Sequence, residues 1–148
     1  MIGKGQITVL LSGKLIFIVE DNSQNRVIYQ IMMVRNGARV EFDRWGRATL
    51  ARMRSLGKID VIIMDLMLPN GDSGYAIFEE IRKDPEFDDV PVVAVSAADP
   101  STALPRTQQM GFAGFIGKPI DDDLFPSQIC RIIEGEKIWY ADDHHVTP

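Results

Sequence analysis

The stretch Ile59-Asp60-Val61-Ile62-Ile63-Met64-Asp65-Leu66-Met67-Leu68-Pro69 decides the fold. At its centre Val61 to Met64 form an unbroken apolar run, too short for a helix, preceded by Gly57 and closed by an acid. A run with no polar alternation reads as a strand buried on both faces, as strands of parallel sheets are. An earlier run, Ile16-Phe17-Ile18-Val19, ends in Glu20-Asp21 in the same manner. Two later runs end in other polar groups, Val92-Val93-Ala94-Val95 in Ser96 and Gly114-Phe115-Ile116-Gly117 in Lys118-Pro119.

Helical patterns of roughly ten to fifteen residues separate these runs, the signature of repeated strand-helix units. Strand one is read over Leu15 to Val19, followed by a helix carrying Val27, Ile31 and Val34 at i, i+4 and i+7 and stopped by Asn36-Gly37. Arg39 to Phe42 is strand two, and Trp45 to Ser55 a helix with Leu50 and Met53 facing inward. Strand three, Ile59 to Asp65, is the most apolar and therefore central. Helix three spans Gly74 to Lys83 with Ile77, Phe78 and Ile81 as its core face and Pro85 as its stop. Strand four follows Pro91, and helix four lies between Pro100 and Gly111. Strand five is Gly114 to Ile116, and helix five, Asp121 to Glu136, buries Phe125, Ile129, Ile132 and Ile133.

The predicted fold is α/β: a doubly wound, five-stranded parallel sheet of order 2-1-3-4-5 with five helices. Residues 14–136 form the domain. Residues 1–13 are an N-terminal extension, with Ile7 to Leu11 as an added edge, and residues 137–148 a C-terminal tail, loose from Ala141 to Pro148.

A length of 148 residues suits one domain with its own core. Apolar residues make up 45% and charged residues 25%, which argues against disorder. A net charge of −5 argues against a sequence-independent grip on nucleic acid. The apolar N-terminal stretch is too short and broken to span a bilayer and lacks a small-residue cleavage site. Cys130 has no second cysteine to pair with and sits in a helical pattern, which fits a reducing, cytoplasmic location. Charge is uneven along the chain. Seven bases between Arg35 and Lys58 face Glu41 and Asp43, a pattern read as a solvated helix face before a docking patch for an acidic partner.

In doubly wound sheets ligands bind beyond the carboxyl ends of the strands, where the strand order reverses. In order 2-1-3-4-5 that point lies between strands one and three, whose ends carry Glu20-Asp21 and Asp65. Crowded carboxylates repel one another unless a cation neutralises them. An oxygen-only ligand set with no His or Cys nearby favours Mg²⁺, which keeps waters and accepts a phosphate oxygen. Asp65 can act as a nucleophile toward phosphorus. Lys118 offers a compact positive charge for a phosphoryl oxygen, Ser96 a hydroxyl donor, and Ala97 leaves room beside it.

These residues resemble the receiver domain of two-component response regulators, a flavodoxin-like fold. Val19-Glu20-Asp21-Asn22 with Asn25-Arg26 matches the family's first acidic motif, and Asp65-Leu66-Met67-Leu68-Pro69 the phosphoacceptor motif. Ser96-Ala97 matches the switch hydroxyl with its small neighbour, and Phe115-Ile116-Gly117-Lys118-Pro119 the closing aromatic-lysine-proline motif. The resemblance covers about residues 14–136. It implies that Asp65 takes a phosphoryl group from a phosphohistidine of a sensor histidine kinase or a histidine phosphotransfer protein. It implies Mg²⁺ held by Glu20, Asp21, Asp65 and the Met67 carbonyl. Ser96 and Phe115 would form a switch pair that remodels a face made by helix four, strand five and helix five. The output would be binding of a downstream protein, a phosphorylation-dependent dimer, or onward phosphotransfer. The Lys118-Pro119 bond is expected to be cis. With no output domain in view, the molecule reads as a stand-alone receiver and not a turnover enzyme, with a phosphorylation-independent interaction module as the alternative.

Several positions depart from the family. Asn70 to Ser73 places one extra residue between Pro69 and Gly74. Pro105 falls inside the expected helix four, which would then begin at Pro105. Met67 and Ala98 are nonpolar where the family tunes dephosphorylation, which implies slow loss of phosphate.

Overall fold

The computed structural model of the chain describes residues 9–68 and 73–141. Strands β1 (Leu15–Val19), β3 (Val61–Met64), β4 (Val92–Ser96) and β5 (Gly114–Gly117) are buried along their whole length, as their unbroken apolar runs require. The half-exposed β2 (Arg39–Asp43) forms one edge. Among the described residues the sheet has six strands in the order β2-β1-β3-β4-β5-β6, all parallel. The sixth, β6 (Ile138–Tyr140), lies in the segment read from sequence as a tail outside the domain, and it pairs with β5. It has a partner because α5 returns the chain to the free edge of β5, where its backbone groups find hydrogen bonds.

Alternate side chains of each strand feed two cores. Leu15, Phe17, Ile62, Met64, Ala94 and Phe115 pack under α2 (Thr49–Ser55), α3 (Gly74–Arg82) and α4 (Pro100–Met110). Ile16, Ile18, Val61, Ile63, Val95 and Ile116 pack under α1 (Ser23–Arg35) and α5 (Phe125–Ile133). Helices on both faces give the doubly wound arrangement anticipated from the alternation of runs.

Helix α1 buries a different face from the one its sequence suggests. Val27, Ile31 and Val34 are 56%, 55% and 45% exposed, while Tyr29, Met32 and Met33 point into the core. Ile28 joins the exposed stripe. Helix α2 is shorter than anticipated because Trp45 takes a left-handed backbone (φ 69°), which no helix interior accommodates. Helix α5 begins only at Phe125, since Asp121 caps a turn by accepting from the Asp123 and Leu124 amides.

Pro105 does not start α4. Pro100 takes the first position behind the Asp99 cap, and Pro105 lies inside, where its ring nitrogen cannot donate to the preceding turn. The Thr107 hydroxyl bonds back to the Ala103 and Leu104 carbonyls one turn further on.

At the other end, Leu11 is fully buried in the core under α1 and α5, and its N–H donates to the Asn36 carbonyl at 2.8 Å. Residues 9–11 form no strand, so the anticipated edge is not found there; Ile7 and Thr8 lie outside the described residues. The Asn70–Ser73 departure falls outside them as well, apart from Ser73, whose hydroxyl caps α3. Three of the seven bases in the basic run are in ion pairs: Arg52 with Glu41 and Asp43, Arg54 with Asp84, and Lys58 with Asp60. Among the described residues, no helix is long and apolar enough to cross a membrane.

Candidate phosphoacceptor site

The parallel register of β1 with β3 sets Val19 beside Met64, so Glu20-Asp21 and Asp65 leave the sheet at neighbouring strand ends. Asp65 is held from two sides. Its Oδ2 accepts from Lys118 Nζ at 2.8 Å, and its Oδ1 accepts from the Met67 N–H at 3.1 Å. Helix α3 starts against it, and the Gly74 N–H donates to the Leu66 carbonyl at 2.9 Å. A Cβ on Gly74 would fall on the Asp65 carbonyl and lie 2.8 Å from Leu66 Cα, so glycine is what permits this approach.

Glu20 is 5% exposed and already committed. Its Oε1 accepts from Asn25 Nδ2 and its Oε2 from the Asn22 N–H, both at 3.2 Å. Arg26 Nε donates to the Glu20 carbonyl at 2.6 Å. Asn22 also caps α1 by accepting from the Asn25 amide. The first acidic motif therefore locks the start of α1 to the end of β1. Asn25 and Arg26 belong to the motif by resemblance, but their bonds to Glu20 emerge only in three dimensions.

Asp21 differs, since its Oδ1 is buried and has no hydrogen-bond partner. A buried carboxylate oxygen left unpaired is costly, and a cation is the partner that would relieve it. Among the described residues, no three acidic, histidine or cysteine side chains come together as a metal-ligand cluster. The anticipated Glu20, Asp21 and Asp65 trio does not form such a cluster; Glu20 accepts from Asn22 and Asn25, and Asp65 Oδ2 from Lys118. Asp21 with its free oxygen, and Asp65 with its capacity for a further contact, are the donors that fit a hard cation.

Ser96, at the end of β4, is fully buried, and its Oγ accepts from the Ala98 N–H at 3.1 Å. Phe115 is fully buried on β5. Met67 is 62% exposed beside Asp65. The Lys118-Pro119 bond is cis. Tyr29 of α1, which sequence reasoning took no account of, lines a cavity with Ala97, Lys118 and Pro119. Burial, and then the charges of Glu20 and Asp65, push its hydroxyl pKa above the usual phenol range.

Residues 16–129 match the response regulator receiver domain model. The chain is 30% identical over 129 residues to the polar-differentiation response regulator DivK of Brucella anthropi, covering 87% of this chain and 98% of DivK. It is 23% identical over 146 residues to Probable histidine kinase 5 of rice (Oryza sativa subsp. japonica), of whose length it spans 12%. A solved receiver domain of the Pseudomonas aeruginosa sensor histidine kinase PA1611 superposes with a TM-score of 0.68 at 26% identity, over 84% of this chain and 100% of that one. That structure is described with a magnesium ion coordinated in its active-site cleft. The chain belongs to the response regulator receiver domain family, whose members act in two-component signalling.

Proposed function

We propose that Asp65 accepts a phosphoryl group from a phosphohistidine on a sensor histidine kinase or histidine phosphotransfer protein. The observation that carries this is the Lys118–Asp65 ion pair at the end of the central strand, with the unpartnered Asp21 oxygen at the neighbouring strand end. An Asp65 oxygen attacks phosphorus as the P–N bond to the donor imidazole breaks. The P–N electron pair returns to the ring nitrogen as its lone pair, and the imidazole leaves neutral, keeping the proton on its other nitrogen. Lys118 Nζ, already at bonding distance from the carboxylate, stays with the charge as it spreads onto the phosphoryl oxygens.

Asp21, Asp65 and the Met67 carbonyl would hold Mg²⁺, with the committed Glu20 adding negative charge nearby. When bound, the ion neutralises charge on the acids and on the incoming phosphoryl oxygens. The Ser96 hydroxyl then turns from the Ala98 amide toward the phosphoryl group, and Phe115 moves into the space released. That shift remodels the surface around α4, β5 and α5 for a downstream protein or a second copy of the chain. The exposed stripe Val27, Ile28, Ile31 and Val34 on α1, the helix that follows Glu20-Asp21, gives the phosphodonor an apolar docking face.

A phosphorylation-independent binding module is the second reading, favoured by the lack of a three-ligand acidic cluster among the described residues. Incubation with acetyl phosphate and Mg²⁺, followed by intact mass, separates the two. We expect one phosphoryl group on the wild type and none on Asp65→Asn. A wild type that gains nothing leaves the binding module.

A further inference from the structure

Resting on the reading of Asp65 as phosphoacceptor, we infer that strand β6 is an output element built into this chain. It docks on β5 while Asp65 is unmodified and loosens when Asp65 carries a phosphoryl group.

Register places the middle of β6 on one part of the switch and the residue just past its end on the other. Trp139 pairs with Phe115 across the parallel ladder, so their side chains stand on one face of the sheet, and Trp139 packs on the same apolar cluster as Phe115. Two positions on, Ala141 lines a cavity with Ser96, Ala97, Gly117 and Lys118. Gly117 and Ala141 are close enough that a Cβ on Gly117 would stand 3.6 Å from Ala141 Cα. The middle of the strand thus rests beside the switch aromatic, and the residue just past its end beside the hydroxyl that a phosphoryl group would draw away.

β5 is shaped to receive this strand. A Cβ on Gly114 would meet the Ile138 carbonyl oxygen at 2.6 Å, so any larger residue there pushes β6 off. The Ile138 N–H donates to the Ala113 carbonyl at 3.1 Å. The strand has three residues, and Trp139 and Tyr140 are only partly buried. So short a ladder at a sheet edge opens at low free-energy cost. Drawing the Ser96 hydroxyl toward Asp65 removes part of the wall beside Ala141, and moving Phe115 inward removes the neighbour of Trp139. Both supports of β6 weaken together, and the β5 edge is freed for a partner.

The test uses the full chain with Trp45→Phe, which leaves Trp139 as the single tryptophan. Beryllofluoride with Mg²⁺ should shift Trp139 emission to the red and speed amide exchange across residues 138–140 about tenfold. The same additions to Trp45→Phe/Asp65→Asn should do neither. Intact mass after acetyl phosphate treatment runs in parallel. A phosphoryl gain with unchanged Trp139 emission and exchange, or with slower exchange, overturns the role of β6 and leaves Asp65 as acceptor. No phosphoryl gain overturns both. Gly114→Ala should show red-shifted, beryllofluoride-insensitive emission from the outset, and emission matching the parent's overturns the docking geometry.

Discussion

Lys118 reaches across the sheet from the end of β5, past β4, to place its Nζ 2.8 Å from Asp65 Oδ2 at the end of β3. The pair is partly exposed, at 27% for the lysine side chain and 17% for the aspartate, so its contribution to folding is small. An ion pair in that setting stabilises by about 1 kcal/mol or less. Lys118→Ala should therefore leave the urea midpoint nearly unchanged while slowing Asp65 labelling by acetyl phosphate about a hundredfold, the scale of losing one preorganised charge partner. A time course of intact mass reads the rate, and equal labelling rates would show the lysine to be structural only.

Asp21 should respond oppositely to metal and to neutralisation. Without metal its unpartnered oxygen is a liability, and Asp21→Asn should raise stability by about 1 kcal/mol. Millimolar Mg²⁺ should raise the melting temperature of the wild type through binding to the native state, and that increment should vanish in the variant. Thermal melts with and without Mg²⁺ give all four values. An increment retained in Asp21→Asn would move the ion elsewhere.

The two faces of α1 predict contrasting substitutions. Met33 is fully buried, so Met33→Ala should cost about 2–5 kcal/mol in denaturant unfolding. Ile31→Ser, on the exposed stripe, should cost only about 0.5 kcal/mol. The same Ile31→Ser change should slow phosphotransfer from a histidine phosphotransfer protein while leaving acetyl phosphate labelling intact. Equal slowing of both donors would place the docking face elsewhere.

Asp43 makes part of the acid sensitivity local. Burial alone would raise its pKa, but the Thr49 hydroxyl, the Trp45 N–H and Arg52 outweigh burial and hold it below its ordinary value of 3.8. A carboxyl with a depressed folded-state pKa contributes stability that is present above the unfolded value and lost as pH falls through the folded value. The stability difference between wild type and Asp43→Asn should accordingly be full above that ordinary value and shrink as the pH is lowered beneath it. Urea titrations across the acid range give the comparison. A difference constant with pH would mean that the carboxylate charge is not what Thr49 and Arg52 recognise.

Phosphate lifetime should be long. Met67 is exposed beside Asp65 and offers no donor to a water attacking phosphorus, and Ala98 offers none from the β4 side. Met67→Asn should shorten the half-life of phosphorylated Asp65 about tenfold by orienting that water. Decay of the phosphorylated mass after removal of acetyl phosphate measures it. An unchanged half-life would assign water positioning to other groups.

What could be read from the linear chain was what strands dictate. Unbroken apolar runs ending in Glu20-Asp21, Asp65, Ser96 and Lys118 can fit only one side of a parallel sheet, and the site follows from that. Helix α1 was harder. From Val27 to Val34 only Gln30 is polar, so several apolar faces compete, and packing against Phe125 of α5 selects the one with Tyr29. β6 has three residues after Gly135-Glu136-Lys137 and carries no period to detect; the free edge of β5 selects it. The commitment of Glu20 to Asn25 was invisible because a motif names residues without saying which oxygen is already taken.

Leu11 carries a practical consequence. The family match opens at residue 16, yet among the described residues the hydrophobic interior already includes Leu11, which lies outside the matched segment. Trimming the protein to the family boundary would remove Leu11 from the core beneath α1 and Leu15 from the core on the other face of the sheet, each a loss of about 2–5 kcal/mol. For this chain the inherited outline of the domain is narrower than the unit that folds, and expression work guided by the outline alone would begin with a damaged protein.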